Sequence, residues 1–140
     1  STPCLSSAAS DVYKRQPNNQ LSGQIPDFSG CTNLRSLTLR NNVLTSYKVG
    51  AFAKLYRINF IDLKFNNLTQ TDLDNILVDL VDNWTSINRG GVSINLKNQT
   101  NSSGSLIFPS EVGYAAARTL ASKGWSIGLS GGIPPEPADL

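Results

Sequence analysis

Apolar residues recur along this chain at two spacings, and each spacing predicts its own element. Leu37 and Leu39 alternate with Thr38 and Arg40, a period of two that predicts a short strand with its leucines inward. Ile61 and Leu63 alternate in the same way with Asp62 and Lys64. Val92, Ile94 and Leu96 predict a third such strand and Ile127 and Leu129 a fourth. Between them Leu73, Ile76, Leu77, Leu80, Val81 and Trp84 fall at i, i+3, i+4, i+7, i+8 and i+11, the stripe of an amphipathic helix. Thr71 and Asp74 predict its start, as a capping box with Asp in place of Glu. A second helix is expected from Ser110 to Lys123, behind Pro109 and stopped at Gly124, with Val112, Ala115, Ala116 and Leu120 facing inward.

The strands belong to a longer self-similarity. Leu34, Leu37, Leu39, Asn42 and Leu44 are repeated 24 residues later by Ile58, Ile61, Leu63, Asn66 and Leu68. Asn19 and Leu21 stand 23 residues before Asn42 and Leu44, the remnant of an earlier unit whose strand would lie upstream of Pro17. Ile94 and Leu96 are repeated 33 residues later by Ile127 and Leu129, so the late units are longer and contain the helices. A buried Leu or Ile contributes about 1.5 to 3 kcal/mol, and no unit this short can enclose its own apolar row, so the units must stack. Asn42 and Asn66 fall where the chain leaves each strand, and an amide there can both donate to and accept from neighbouring backbones. Gln99 and Gly132 stand where Asn would continue that ladder, so the late units are expected to be irregular.

This L-x-x-L-x-L-x-x-N-x-L pattern resembles the leucine-rich repeat family. Residues 18–34, NNQLSGQIPDFSGCTNL, further resemble the L-S-G-x-I-P variant of plant-type repeats and their bacterial relatives. The resemblance implies an α/β fold: a leucine-rich-repeat solenoid with a short-stranded parallel sheet on its concave face and helices in the C-terminal units. Repeats would occupy residues 17–70 and strand-helix capping repeats residues 71–131, with residues 132–140 a Pro-rich tail serving as an extended terminus or linker.

The first sixteen residues do not fit this frame. Ser6 to Gln16, SSAASDVYKRQ, agrees codon for codon with a translated transposase sequencing adaptor, and Ser1, Thr2 and Pro3 fit the fixed bases before a sample barcode. Residues 1–16 are therefore expected to be a non-native, disordered segment, and the gene a metagenomic fragment lacking whatever preceded Pro17. With Cys4 set aside, Cys31 is the one remaining cysteine, so no intrachain disulfide can be argued, and its surroundings predict a core residue.

Composition narrows the chemistry. Among 140 residues, 39% are hydrophobic and 16% charged, without the roughly 18 consecutive apolar residues of a membrane span. Lys and Arg number 12 against 10 acids, or 10 against 9 once Asp11, Lys14 and Arg15 are removed, too even a balance for a nucleic-acid binder. Histidine is absent, which removes Ser-His and Cys-His nucleophile pairs and histidine-based zinc sites. Asp72, Asp74, Asp79 and Asp82 read as the solvated outer face of the first helix, and no phosphate-loop pattern accompanies the glycine pairs. No enzyme activity, metal or cofactor is expected. Four N-x-[ST] patterns begin at Asn67, Asn83, Asn98 and Asn101 and matter only in a eukaryotic secretory route.

In a parallel stack, equivalent outward positions form columns with strands about 4.8 Å apart. One column holds Ser36, Phe60, Ser93 and Ser126; the next Thr38, Asp62, Asn95 and Gly128; the third Arg40, Lys64, Lys97 and Ser130. The like-charged row Arg40, Lys64 and Lys97 would be relieved by an acidic partner, and Phe60 and Phe65 project beside it without a core role. Thr38, Arg40, Phe60, Asp62, Lys64, Phe65, Asn95 and Lys97 are thus the candidate binding residues for a protein or carbohydrate ligand. A one-residue slip in register would bury both Phe residues and erase the site. The expected function is non-catalytic recognition by a monomer, extracellular or at a cell surface. The rival expectation is a structural spacer or targeting arm of a larger surface, secreted or phage-tail protein or enzyme.

Overall fold

A computed structural model describes residues 13–15, 21–87 and 90–137. Among the described residues seven strands and two helices run in the order β1 (Tyr13–Arg15), β2 (Ser22–Gln24), β3 (Ser36–Thr38), β4 (Val43–Ser46), β5 (Phe60–Asp62), α1 (Gln70–Ile87), β6 (Ser93–Asn95), α2 (Glu111–Ser122) and β7 (Ser126–Gly128). The main sheet has the order β1-β3-β5-β6-β7, with every neighbouring pair parallel. Its register is the expected one: Ser36, Phe60, Ser93 and Ser126 align, as do Leu37, Ile61, Ile94 and Ile127, and Thr38, Asp62, Asn95 and Gly128.

Register and burial agree. Leu34, Leu37, Leu39 and Leu44 are buried, and so are their counterparts Ile58, Ile61, Leu63 and Leu68. Phe28, Phe52, Leu55 and the inward face of α1, through Leu73, Ile76, Leu77 and Leu80, complete the core. Trp84, expected on that face, has a side chain outside the described residues. Cys31 is buried in this core and is disulfide-bonded, a pairing not anticipated once residues 1–16 were set aside.

Three strands were not foreseen. β2 and β4 form a second parallel pair, because the exposed residues between core positions Leu21 and Ile25 lie alongside Val43 to Ser46. β1 falls within the segment expected to be disordered, pairing Tyr13, Lys14 and Arg15 with Ser36, Leu37 and Thr38. An open strand edge presents unpaired backbone groups that any extended segment can satisfy, whatever its side chains. The remainder of residues 1–16 lies outside the described residues.

Side-chain amides link the units. Asn42 accepts from the Leu21 N–H (2.8 Å) and donates to the Leu39 carbonyl (3.0 Å). Asn66 accepts from the Leu44 N–H (3.0 Å) and donates to the carbonyls of Leu39 and Leu63 (both 3.0 Å). Gln99, in place of Asn, is expected to make the late units irregular. Instead Gln99 continues the ladder, accepting from Leu68 N–H (3.2 Å) and donating to Leu63 (2.8 Å) and Leu96 (3.3 Å), because its amide head is identical and one extra methylene is absorbed locally. All three amides are buried.

Three of the four acids of α1, Asp72, Asp74 and Asp79, are structural rather than part of a solvated face. Thr69 and Asp72, rather than Thr71 and Asp74, form the capping box: Asp72 accepts from the Thr69 N–H (2.9 Å) while the Thr69 hydroxyl accepts from Asp72 N–H (3.2 Å). Asp72 is selected because its second oxygen also accepts from the Tyr47 N–H (3.1 Å). Asp79 accepts from the Tyr47 hydroxyl (2.6 Å) and the Gly50 N–H (2.7 Å), and that hydroxyl accepts in turn from the Phe52 N–H (2.9 Å). Burial, reinforced by Asp79, holds the Tyr47 phenol far above its ordinary pKa, so it stays a neutral donor. Asp72 and Asp79 are buried and Asp74 half-buried, leaving only Asp82 of the four exposed.

Asp74 ties α1 to α2. It accepts from the Ser110 N–H (2.9 Å), the Ser110 hydroxyl and the Gly113 N–H (3.1 Å), supplying a carboxylate to the α2 N-terminus. This contact rotates α2 from the expected face by about one residue: Gly113, Ala116, Ala117 and Leu120 are buried, while Ala115 is exposed and Val112 is 62% exposed. A Cβ at Gly113 would collide with Asp74 Oδ1 and lie 2.8 Å from Pro109 Cβ. Arg118 on α2 pairs with Glu111 (2.7 Å) and donates to the carbonyls of Pro134 (2.8 Å) and Pro135 (3.0 Å), fastening the Pro-rich segment that follows β7.

Three stability predictions result. Asn66→Ala orphans the buried Leu44 N–H, while the Leu39 and Leu63 carbonyls keep Asn42 and Gln99 as donors, and should cost about 1 to 3 kcal/mol, read as a lower chemical-denaturation midpoint. Tyr47→Phe orphans the Phe52 N–H, and its melting temperature should fall by several degrees. Gly113→Ala should destabilise despite the higher helix propensity of Ala, since the methyl has no room; a gain in melting temperature would contradict the α1–α2 contact.

Candidate functional site

The outward columns end in a turn that is built the same way in successive units. Asp62 Oδ1 accepts from the Lys64 N–H (3.2 Å) and Asn95 Oδ1 from the Lys97 N–H (3.0 Å). These bonds spanning two residues turn the chain as it leaves each strand. The next residues, Phe65 and Asn98, adopt left-handed backbone with φ of 61° and 62°, as Asn41 does at 60°. The ladder residues Asn42, Asn66 and Gln99 follow immediately. Pairing continues through this turn, with Asn41 N–H donating to Lys64 (3.0 Å) and Phe65 N–H to Lys97 (3.1 Å), so Lys64, Phe65 and Lys97 are fixed as neighbours.

The eight candidate residues separate into two groups. Thr38 and Asp62 are only 4% and 3% exposed, since a short side chain in mid-sheet is shaded by longer neighbours; Asp62 is further tied to Arg40 by an ion pair of 3.5 Å. Phe60 and Asn95 are half-buried on the same face. Arg40 and Lys64 are half-buried, Lys97 exposed, and Phe65 49% exposed. Arg40 is thus charge-compensated, whereas among the described residues neither Lys64 nor Lys97 has an ion-pair partner. Phe65 stays out of the core, so the register slip that would have erased the site has not occurred.

Sequence reasoning missed what stands opposite Phe65. Between β6 and α2 the chain folds back through an antiparallel bridge from Thr100 to Leu106, with Asn101 Oδ1 accepting from the N–H groups of Ser103 (2.9 Å) and Ser105 (3.0 Å). This hairpin presents Leu106, 45% exposed, across a pocket of about 310 Å³ that Phe65, Asn67, Asn98 and Thr100 help to line. Leu106 and Lys97 also border a larger depression of about 570 Å³ at β7. A sheltered cleft of about 560 Å³ lies on the other side of Thr100, against Leu68 and Ile107. The one available sign in the sequence was the apolar pair Leu106 and Ile107 directly after the polar run Asn98 to Ser105.

Among the described residues no group of three or more His, Cys, Asp or Glu is arranged to hold a metal ion, and no helix is long and apolar enough to cross a membrane. The four glycosylation patterns are not equivalent. Asn83 is buried and donates to the carbonyls of Phe52 (3.3 Å) and Leu55 (3.0 Å), and Asn67 donates to Thr100 (2.8 Å), whereas Asn101 is exposed. A glycan on Asn83 would be incompatible with this packing.

No curated protein and no solved structure matches the chain. Residues 27–70, which contain β3, β4, β5 and the first two rungs of the amide ladder, match the family model described as Leucine rich repeat. Over residues 27–70 the chain is thus similar to the leucine-rich repeat family.

Proposed function

We propose that the chain is a non-catalytic binding module whose outward sheet face, the concave face of a leucine-rich-repeat solenoid, recognises an acidic protein surface. Leucine-rich repeats are in general protein-interaction modules, and this part of the chain is similar to that family. The observation that carries the finer reading is the fixed juxtaposition of Lys64 and Lys97, which lack ion-pair partners among the described residues, around the exposed Phe65. Two cations held together by backbone pairing repel one another, and a carboxylate partner removes that repulsion while the aromatic ring supplies apolar contact area. Arg40 contributes less than its place in the row suggests, because Asp62 already offsets its charge. Protein ligands are favoured over glycans on this charge pattern. We further place the chain outside the cell or at its surface, by likeness to similar repeats alone.

The test is the double substitution K64S/K97S, with Arg40 retained as the partner of buried Asp62. Ligands are selected from a displayed library of random dodecapeptides on the unaltered chain. The double variant should keep its circular dichroism and melting temperature and bind the selected acidic peptides about tenfold or more weakly, with the loss growing smaller as salt is raised. Unchanged affinity would favour a structural spacer.

A further inference from the structure

Phe65 departs from the pattern that its neighbours set. Its repeat equivalents are Asn41 and Asn98, with φ of 60° and 62°, and Gly131, with φ of 78°. Asn and Gly are the residues that enter left-handed backbone with least strain, whereas a bulky aromatic side chain there is disfavoured. Phe65 does so at φ of 61° and remains 49% exposed, so it does not recover the strain by core burial. Its backbone bond to Lys97 would be made equally well by Asn. A residue that strains its own turn and stays out of the core is kept for something other than stability.

What surrounds the ring indicates what that is. Leu106 faces the same pocket of about 310 Å³, and Leu106 too is an exposed apolar residue, at 45%. Asn98 borders the pocket with a side-chain amide that has no hydrogen-bond partner among the described residues. Lys64 immediately precedes Phe65, and Lys97 is bonded to it through the backbone. A pocket with two apolar walls, Phe65 and Leu106, set among Asn and Thr side chains of which the Asn98 amide is available, and with two cations adjoining Phe65, has the features of a site for an apolar side chain on an acidic strand of chain.

Building on the binding reading above, we infer that this pocket is the anchor site for an acidic peptide segment. One aliphatic or aromatic side chain of the ligand inserts between Phe65 and Leu106, its flanking carboxylates meet Lys64 and Lys97, and the Asn98 amide takes a ligand backbone group. Phe65 then accounts for its strain as a contact residue whose exposed ring forms one wall.

Phe65→Asn provides the test, because it restores the residue that the turn favours and removes the wall. Peptides selected from the random dodecapeptide library on the unaltered chain should share an apolar residue flanked by Asp or Glu. F65N should melt a few degrees higher than the unaltered chain yet bind those peptides about tenfold or more weakly, while F65Y retains binding. A lower melting temperature for F65N would give Phe65 a structural role and overturn the inference. So would full affinity in F65N, or a selection that returns no peptide of this composition. Loss of binding in K64S/K97S but not in F65N would leave the charged face standing and remove the pocket alone.

Discussion

Every unit of this chain must leave its strand without orphaning the backbone groups exposed where regular pairing stops. The amides of Asn42, Asn66 and Gln99 meet that requirement, each accepting an N–H from the preceding unit and donating to carbonyls at the ends of the strands. Because each amide touches two units at once, it fixes their spacing as well as satisfying their polar groups. The buried rows of Leu and Ile supply most of the free energy but are non-directional, so they would tolerate sliding that the amides do not.

The candidate site is a by-product of that constraint. A ladder amide can point inward only if the residue before it turns the chain sharply, and this turn takes left-handed backbone at Asn41, Phe65 and Asn98. The residue at the turn is thereby thrown outward, next to the last outward side chain of the strand. Asp62 and Asn95 stabilise the approach to the turn by accepting from Lys64 and Lys97, which places these two cations on either side of Phe65. Burial of Asp62 beside Arg40 then leaves Lys64 and Lys97 as the more available charges of the row.

The parts of this arrangement that repeat in sequence were legible in it. Leu37, Ile61, Ile94 and Ile127 announce both strand and register because period-two alternation and matched offsets agree. What was lost depended on partners far away in the chain. Thr69-Gln70-Thr71-Asp72-Leu73-Asp74 contains two overlapping capping boxes, and Tyr47 selects between them by donating to Asp72. Asp79 and Asp74 looked like solvated charges because their donors, Tyr47, Gly50, Ser110 and Gly113, lie about 30 to 40 residues away. The face of α2 was misjudged by one step because its inner positions are Gly and Ala, which carry little hydrophobic contrast against the exposed Val112. Gln99 read as an irregularity because its length differs from Asn, although its hydrogen-bonding head does not.

Amide hydrogen exchange at Leu68 probes the ladder most directly. Leu68 lies outside every strand and helix, and its N–H is bonded to the Gln99 side chain alone. Ladder closure predicts protection of that amide comparable to Ile61 and Ile94 in the main sheet, whereas exchange at the rate of an open loop would contradict it.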